Sequence, residues 1–199
     1  MSARPTFPLK PHIFLAAVIA STLAPGVASA KDWAKALDKG EILVYTTKVK
    51  GFDDEAVVVK AVIEAPPEKV WKLVSNCANY KKTMQRIVKA QMLPKKNGKV
   101  MCKVTVDMPF PYSDLTALTA AVHKEGPPTW SRQWTLVHGD YDHNTGGWTL
   151  TRWRGDAKRT HLRYRVHAKP KAWIPGWVRR AAQKRTLPKL IKHLRKLSK

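Results

Sequence analysis

The chain has 199 residues and a formal net charge of +23, from 37 Lys and Arg against 14 Asp and Glu. Without the first thirty residues about 169 remain, the usual size of one domain with one core, so we expect no second domain. The charge favours an anionic membrane leaflet or a charged envelope polymer as partner over specific nucleic acid, with charge kept for solubility as the alternative.

Residues 1–30 have the pattern of a secretory signal peptide. A basic start with Arg4 and Lys10 precedes an apolar run from Ile13 to Ala20, and the segment closes on Ala28-Ser29-Ala30. The run is too short to span a bilayer, which takes roughly 20 apolar residues. We expect cleavage after Ala30 and a periplasmic or secreted protein with a net charge of about +21. An uncleaved anchor is the alternative, but it leaves the small residues at 28–30 unexplained.

The mature chain begins with a helical lead-in and two strands. Residues 31–40 predict a short helix with Trp33 and Leu37 on its apolar side. Residues 41–50 and 56–64 are rich in Val, Ile and Thr and predict two strands, joined by a turn over 51–54.

A pair of short helices is expected next. Pro66, Pro67 and Glu68 are residues typical of a first helical turn, and this helix should bury Val70, Trp71 and Val74. Asparagines at 76 and 79 predict a break, because asparagine competes for helical hydrogen bonds. A second short helix should then run through Tyr80, Met84 and Ile87.

From there to residue 169 the apolar residues recur with period two, which indicates strands. Val100, Cys102, Val104 and Val106 share one face of the first. Four more strands are predicted over 115–124, 130–138, 148–154 and 161–168. The expected turns are Gly126-Pro127-Pro128, Asn144-Thr145-Gly146-Gly147 and Gly155-Asp156.

A long amphipathic helix over 175–197 ends the chain. Its apolar residues recur at helical spacing, and they are Trp177, Val178, Ala181, Leu187, Leu190, Ile191, Leu194 and Leu197. Pro188 should kink or interrupt it. The element order predicts an α+β fold in which a curved antiparallel sheet wraps around this helix, with a cavity between the two layers.

Several segments carry a likeness to a known family. Ala65-Pro66-Pro67-Glu68-Lys69-Val70-Trp71 and Pro109-Phe110-Pro111-Tyr112-Ser113-Asp114 are similar to its entry into the first helix and into a central strand. The segments 147–150, 160–164 and 170–177 resemble its closing strands and last helix. Together they resemble the START and polyketide-cyclase-like (SRPBCC) helix-grip superfamily, which also includes coenzyme Q-binding proteins.

The resemblance implies a lipid-binding domain over 41–199. Its cavity would hold a lipid or another apolar small molecule without a covalent bond, a cofactor or a metal. In one respect the chain departs from the family: many members carry an arginine after Ser-Asp in the central strand, and this chain has Leu115. A polar ligand contact at that position is therefore in doubt.

Alternation along the strands and the last helix predicts which side chains line the cavity, with a packed core as the alternative reading. The predicted lining residues are Val104, Leu118, Trp134, Leu136, Leu150, Leu162, Tyr164, Trp177 and Ala181.

The last helix is also strongly basic, which is typical of a helix that docks on anionic lipid, although a merely solvated face has the same composition. The predicted membrane-facing residues are Arg179, Arg180, Lys184, Arg185, Lys189, Lys192, Arg195 and Lys196.

Cys77 and Cys102 are the two cysteines of the chain. In an oxidising compartment they can pair, and a loop of roughly 25 residues would then add about 3 kcal/mol of stability. Two separate, small buried side chains are the alternative.

Metal binding and catalysis are the remaining possibilities. Residues 138–143 place His138, Asp140, Asp142 and His143 close together, but a hairpin turn accounts for their polarity, so we expect no metal there. An enzyme would need a titratable His or Asp in the cavity. The candidates for such a role are Asp107, Asp114, Glu125, His123, His161 and His167.

We therefore expect a non-enzymatic, exported carrier of a hydrophobic ligand. A polyketide cyclase-like enzyme is the first alternative, and a basic adhesive protein that binds anionic envelope polymers is the second. A carrier predicts an apolar cavity, and a purely adhesive protein predicts none.

Overall fold

The computed structural model describes residues 30–199, apart from the side chains of Ala30, Lys31, Arg179, Arg180 and Gln183. Residues 1–29 of the predicted signal peptide lie outside the described residues. Within 30–199, no helix has the length and apolar character needed to cross a membrane.

One eight-stranded antiparallel sheet forms the body of the molecule, in the order β1-β2-β8-β7-β6-β5-β4-β3. Strands β3 to β8 follow one another as a meander, and β2 pairs with β8, so that the first two strands return beside the last. The strands are β1 Leu43–Lys48, β2 Glu55–Ile63, β3 Ile87–Lys96, β4 Lys99–Val106, β5 Leu115–Lys124, β6 Thr129–Gly139, β7 Tyr141–Trp153 and β8 Asp156–Pro170.

Within residues 30–199, four α-helices and one short 3₁₀ turn accompany the sheet. They are α1 Ala30–Asp38, α2 Pro67–Ser75, the 3₁₀ turn Cys77–Asn79, α3 Tyr80–Thr83 and α4 Gly176–Leu197. Proline occupies the first turn of α2, where its missing N–H costs nothing. The predicted break after α2 is present: the backbone of Asn76 is extended, and its side chain accepts a hydrogen bond from the Ala78 N–H at 3.1 Å.

The main core lies between α4, α2 and the concave face of the sheet. Leu187, Leu190, Ile191 and Leu194 are buried at i, i+3, i+4 and i+7, the spacing of a single helical stripe. They pack with Val70, Trp71 and Val74 of α2 and with alternate residues of β2, β6, β7 and β8. The predicted α+β helix-grip fold, with a curved sheet around a C-terminal helix, is confirmed.

The predicted end of the second short helix is wrong. The second short helix ends at Thr83 instead of running to Ile87, because the backbone is extended at Met84 and Arg86 has a positive φ of 62°. Ile87 therefore begins β3, a strand that the sequence pattern did not delimit. Along β3 the strand faces solvent at most positions, so its residues show no clean alternation of apolar and polar side chains.

The predicted turn at Asn144-Thr145-Gly146-Gly147 is also wrong, because these residues lie inside β7. The chain turns earlier, at Gly139 and Asp140. Only glycine fits at position 146, because a Cβ there would overlap the indole of Trp134 and the backbone of β8 at Arg165. The two glycines thus provide space within a sheet and do not end a strand.

Helix α4 is not interrupted at Pro188, contrary to one of the two predicted outcomes. A proline inside a helix costs about 3 kcal/mol. Leu187, Leu190 and Ile191 are buried on both sides of it, and the burial of each contributes roughly 1.5–3 kcal/mol. Packing against the core therefore offsets the lost hydrogen bond.

Candidate ligand cavity

A cavity of about 240 Å³ lies between the concave face of the sheet and α4. Its wall is largely apolar, and α3, α4 and all strands from β3 to β8 contribute to it. The lining residues are Tyr80, Met84, Gln85, Ile87, Cys102, Val104, Val106, Thr119, Arg132, Trp134, Tyr141, Asn144, Trp148, Tyr164, Val166, Ala168, Thr186, Leu187 and Leu190. The position between packed layers and the apolar lining are typical of a small-molecule site.

An aromatic stack forms one side of the cavity. The Tyr164 ring lies 4.2 Å from that of Trp148 and 6.1 Å from that of Trp134, measured between centroids. The Trp134 indole N–H donates to Oδ1 of Asn144 at 3.0 Å. Because the indole is held by both a stack and a hydrogen bond, this wall presents a fixed apolar surface to a ligand.

Arg132 brings a positive charge to the same wall. Its side chain is 3% exposed, and its guanidinium lies over the rings of Tyr80 and Trp134 at 5.7 and 5.4 Å. Among the described residues no carboxylate forms an ion pair with it, and its Nε has no hydrogen-bond partner. A buried cation without an anion is costly, so the site is suited to a ligand that carries a carboxylate, phosphate or carbonyl oxygen.

Three tyrosines add hydroxyl groups to the cavity. Burial raises the pKa of Tyr80 and Tyr164, with Arg132 acting in the opposite direction, and burial raises the pKa of Tyr141 to about 12. All three are therefore protonated at neutral pH. The Tyr80 hydroxyl is already engaged, since it donates to the carbonyl oxygen of Val74 at 2.6 Å.

The residues predicted to line the cavity lie in several places. Val104, Trp134 and Tyr164 are in its wall. Leu150 and Leu162 point to the same side of the sheet but are wholly buried in the main core, away from the cavity. These two leucines belong to the cluster that includes residues of α2 and α4, and they do not line the cavity.

The other four predicted lining residues are outside the cavity. Leu136 packs in a neighbouring apolar cluster with Leu115 and Tyr141. Leu118 is on the opposite face of β5, because the buried face of that strand consists of Leu115, Ala117, Thr119 and Ala121, and Thr119 is the one that lines the cavity. Trp177 is 68% exposed and Ala181 is also exposed, because the first half of α4 extends beyond the buried stripe.

Arg132 was not predicted from the sequence, although a signal for it exists. Trp130, Arg132 and Trp134 occupy every second position and therefore share one face of β6. Leu115, the residue at the family's arginine position, is buried in the neighbouring cluster and does not line the cavity. The cavity thus has an arginine, but it comes from a different strand.

Two segments pack together beside the cavity. Met108 and Tyr112, from the loop before β5, meet Ile174, from the segment between β8 and α4, and Val178, from the first turn of α4, in the cluster that contains Tyr141. Tyr141 also lines the cavity, so this cluster adjoins it. Three aromatic side chains project from these segments into solvent: Phe110 is 97%, Trp173 82% and Trp177 68% exposed. We call these three residues the aromatic rim.

The basic residues of α4 divide into two groups. Arg195 is partly buried, and its guanidinium donates to the carbonyl oxygens of Val62 at 2.8 Å and Gly40 at 2.9 Å, so it fastens the helix to the sheet. The exposed residues are Lys184, Arg185, Lys189, Lys192 and Lys196. The side chains of Arg179 and Arg180 lie outside the described residues.

Cys77 and Cys102 form a disulfide that joins the 3₁₀ turn to β4. Both are buried, and Tyr80 packs with them. Because Cys102 and Tyr80 also line the cavity, the bond fixes α3 against the sheet at the cavity wall.

None of the six candidates for catalysis is among the described residues that line the cavity. Asp107 is paired with Arg86 at 2.9 Å, and Asp114 accepts from the Met108 N–H at 3.1 Å. His123 packs against Trp71 of α2, and Glu125 is exposed. His161 stacks on Trp153 on the other face of the sheet.

The His-rich stretch 138–143 does not gather its own side chains around one point. Asp140 accepts a hydrogen bond from the Thr116 N–H at 2.7 Å, and Asp142 pairs with Lys169 at 3.6 Å. His143 instead meets Asp54 and His167, and these three residues are the group in the described part of the chain that could hold a metal ion.

Comparison with known proteins identifies relatives of the same architecture. The profile of the family described as polyketide cyclase / dehydrase and lipid transport matches residues 63–195. No curated protein matches the chain.

Solved structures with the same fold include lipid-transfer proteins and a cyclase. A STAR-related lipid transfer protein from Xanthomonas axonopodis is 19% identical, with a TM-score of 0.63 over 77% of this chain and 93% of that one. Human StAR-related lipid transfer protein 5 is 13% identical, with a TM-score of 0.68 over 85% and 96%. A Streptomyces aromatase/cyclase is 18% identical, with a TM-score of 0.55 over 71% and 92%. At these identities the likeness shows the fold alone.

Proposed function

Because the chain belongs to the polyketide cyclase / dehydrase and lipid transport family, we propose that it carries one hydrophobic molecule with an anionic or carbonyl head group. The observation that supports this most directly is Arg132, a buried guanidinium in an apolar wall without an ion-pair partner among the described residues. An apolar tail would lie against Trp134, Trp148 and Tyr164, and the head group would accept hydrogen bonds from the arginine.

The size of the cavity limits the ligand. A volume of about 240 Å³ is slightly below the usual range of small-molecule sites, roughly 300 to 1,000 Å³. It suits a single-chain lipid, a quinone head group or a compact polycyclic molecule better than a whole two-chain lipid.

Binding is favoured over catalysis because general acid–base chemistry needs a suitably placed titratable group. Among the described lining residues there is no Asp, Glu or His. The family includes cyclases as well as lipid carriers, so the identity of the bound molecule decides between the two activities. A cavity of this kind has no use in a purely adhesive protein, which makes that alternative less favourable.

We propose further that the protein is exported and meets its ligand at an anionic membrane. The signal-peptide pattern of residues 1–30 and the Cys77–Cys102 disulfide both favour an oxidising compartment. The aromatic rim and the exposed Lys and Arg of α4 supply the apolar and basic groups that an interfacial surface combines. Because the rim projects from segments whose cluster adjoins the cavity, docking there would bring the cavity close to the lipid.

The first experiment is native mass spectrometry of the protein purified from the envelope of its own host, followed by extraction of whatever it carries. We expect the mass of residues 31–199 plus one hydrophobic molecule. An empty protein that also takes up no lipid from anionic vesicles overturns the carrier function, and a mass that includes residues 1–30 overturns the proposed cleavage.

The head-group contact is tested with Arg132→Gln, using Arg152→Gln, at an exposed residue near the end of β7, as the matched control. A hydrogen bond to a charged group contributes about 1.5–3 kcal/mol, so Arg132→Gln should weaken binding of an anionic ligand roughly 10- to 100-fold. Its thermal stability should not fall, since the change removes an uncompensated buried charge. Equal affinity in both variants would rule out this contact.

A further inference from the structure

Asp54, His143 and His167 lie together although they come from three separate segments. Asp54 is in the turn between β1 and β2, His143 is near the start of β7, and His167 is near the end of β8. Along β8, Tyr164, Val166 and Ala168 line the cavity, so His167 points to the opposite face of the sheet. The group therefore lies on the other side of β8 from the ligand cavity, beside a groove that shares Ala168 with the cavity.

The distances within the group are those of donor atoms around one metal ion. The two Nε2 atoms are 3.0 Å apart, and the carboxylate oxygens of Asp54 lie 3.2 Å from His167 Nε2 and 3.4 Å from His143 Nε2. Ligands about 2.0–2.1 Å from a tetrahedral zinc ion are separated by about 3.3 Å. Two imidazoles and a carboxylate are also a donor set that divalent transition metals accept.

A single proton satisfies this arrangement less well than a metal does. One proton between the two Nε2 atoms engages two lone pairs, whereas a cation in the centre engages both imidazoles and the carboxylate at once. The surroundings leave little room for water beside the two imidazoles. His167 is 2% exposed, and the Phe52 ring lies 4.6 Å from the His143 ring and 4.7 Å from the His167 ring.

The group also has an entry path. His143 and Asp54 line an open groove of about 930 Å³ whose wall includes Phe52, Asp142 and Lys169. Three protein donors leave a fourth tetrahedral position, which water or a small anion can take from the groove.

We propose that Asp54, His143 and His167 bind a divalent transition-metal ion, and zinc is the ion whose tetrahedral geometry the three donors match. The metal would tie the β1–β2 turn, at one edge of the sheet, to β7 and β8. Only His143 belongs to the stretch 138–143 in which the sequence led us to expect no metal. The other two ligands are distant in sequence, which is why spacing alone does not indicate the site.

The test uses the purified protein, stripped with a chelator and titrated with ZnCl₂ by calorimetry and with CoCl₂ by visible absorption. We expect one equivalent of each ion to bind, with the intense visible bands of four-coordinate cobalt, and Zn²⁺ to raise the melting temperature. His143→Ala and Asp54→Asn should each lose this step. His167 is not replaced, because it is buried and its loss would also disturb the core.

His138→Ala is the matched control, since His138 is an exposed histidine outside the group. It should bind one equivalent as the wild type does. The proposal is overturned if the wild type binds no ion, or if His143→Ala and Asp54→Asn retain the binding step with their fold intact by circular dichroism. Uptake of ligand into the cavity is a separate measurement, so failure here leaves the carrier function untouched.

Discussion

His123 and Arg132 are directly paired across β5 and β6, yet only Arg132 reaches the cavity. His123 lies edge-on to the Trp71 ring at 5.3 Å, and its Nε2 is buried without a hydrogen-bond partner in the described part of the chain. Burial, followed by the positive charge of Arg132, lowers its pKa to about 4; Lys95 acts in the same direction and Glu125 in the opposite one. The histidine is therefore neutral in the folded protein at pH 7.

This residue makes stability depend on pH. Between the ordinary histidine pKa of about 6.5 and the lowered value of about 4, the unfolded chain binds the proton that the folded chain rejects, so stability falls as pH decreases across that window. The full shift corresponds to about 3 kcal/mol, which partial exposure reduces to roughly 1–2 kcal/mol.

We expect His123→Phe to remove that loss and to leave stability at pH 7 unchanged or slightly higher, because an unpartnered buried nitrogen is replaced by carbon. Urea unfolding of both proteins at pH 7.0 and pH 4.5 measures it. If the difference between the two proteins is the same at both pH values, His123 does not titrate as described.

At this scale, alternation along the strands predicts some of the residues that line the cavity. Val104, Trp134 and Tyr164 are in its wall, and their contact with a ligand stays a prediction. It did not separate cavity from core, because Leu162 and Tyr164 share a face and differ only in what covers them. Packing between layers makes that difference, and it is not visible in the order of residues along one strand.

At the scale of elements, the Trp134 side chain of β6 lies over β7 and determines which residue fits at position 146. Gly146 is opposite Trp134 in the β6–β7 register, and the indole occupies the space that a Cβ would need. Glycine in a strand is often a mark of such close approach and not of a turn. The aromatic wall of the cavity therefore depends on the absence of a side chain in the neighbouring strand.

Gly146→Ala should displace Trp134 towards the cavity, lower stability by about 1–3 kcal/mol and reduce ligand uptake. Chemical denaturation and tryptophan fluorescence measure the two effects on the protein. Gly147→Ala is the matched control, because the atoms nearest to a Cβ there belong to the amide end of the flexible Gln133 side chain, and it should cost little. Equal losses in the two variants would mean that general strand propensity, and not Trp134, requires the glycine.

Elements with a strong period were predicted well and irregular ones were not. The stripe of α4 from Leu187 to Leu194 was visible, but Trp177 and Ala181 precede Leu187 by ten and six residues, which places them roughly 80° and 120° around the helix. They were grouped with the stripe because they are apolar. The edge strand β3 was missed because an edge strand with two solvated faces has little pattern to detect.

At the scale of the whole molecule, the aromatic rim and the basic residues of α4 are combined on one element and its adjoining loops. Trp177 lies in the first turn of the helix and Lys196 in its last, with exposed Lys and Arg between them. The sequence indicated the basic face of α4, but Phe110 became part of the rim only when the loop before β5 packed against the start of α4.

Binding to vesicles should therefore need both anionic lipid and exposed aromatic groups. We expect sedimentation with anionic but not zwitterionic vesicles and a marked decrease as salt rises from 0.1 to 1 M, since the screening length falls from about 10 to 3 Å. Trp177→Ala should weaken binding at either salt concentration. Val122→Ala, at an exposed apolar residue of β5, is the control and should behave as the wild type does. Binding that does not change with salt would contradict the proposed attraction between the basic residues of α4 and anionic lipid.

Because of the Cys77–Cys102 disulfide, the stability of the fold depends on the redox state of the compartment. Closing a loop of roughly 25 residues contributes about 3 kcal/mol, a large share of the 5–15 kcal/mol by which domains are usually stable. The same polypeptide is thus less stable where the two thiols stay reduced and more stable where they form the disulfide. If the protein is exported as we propose, a newly made chain would remain easy to unfold before export and would become rigid around its cavity only in the oxidising compartment.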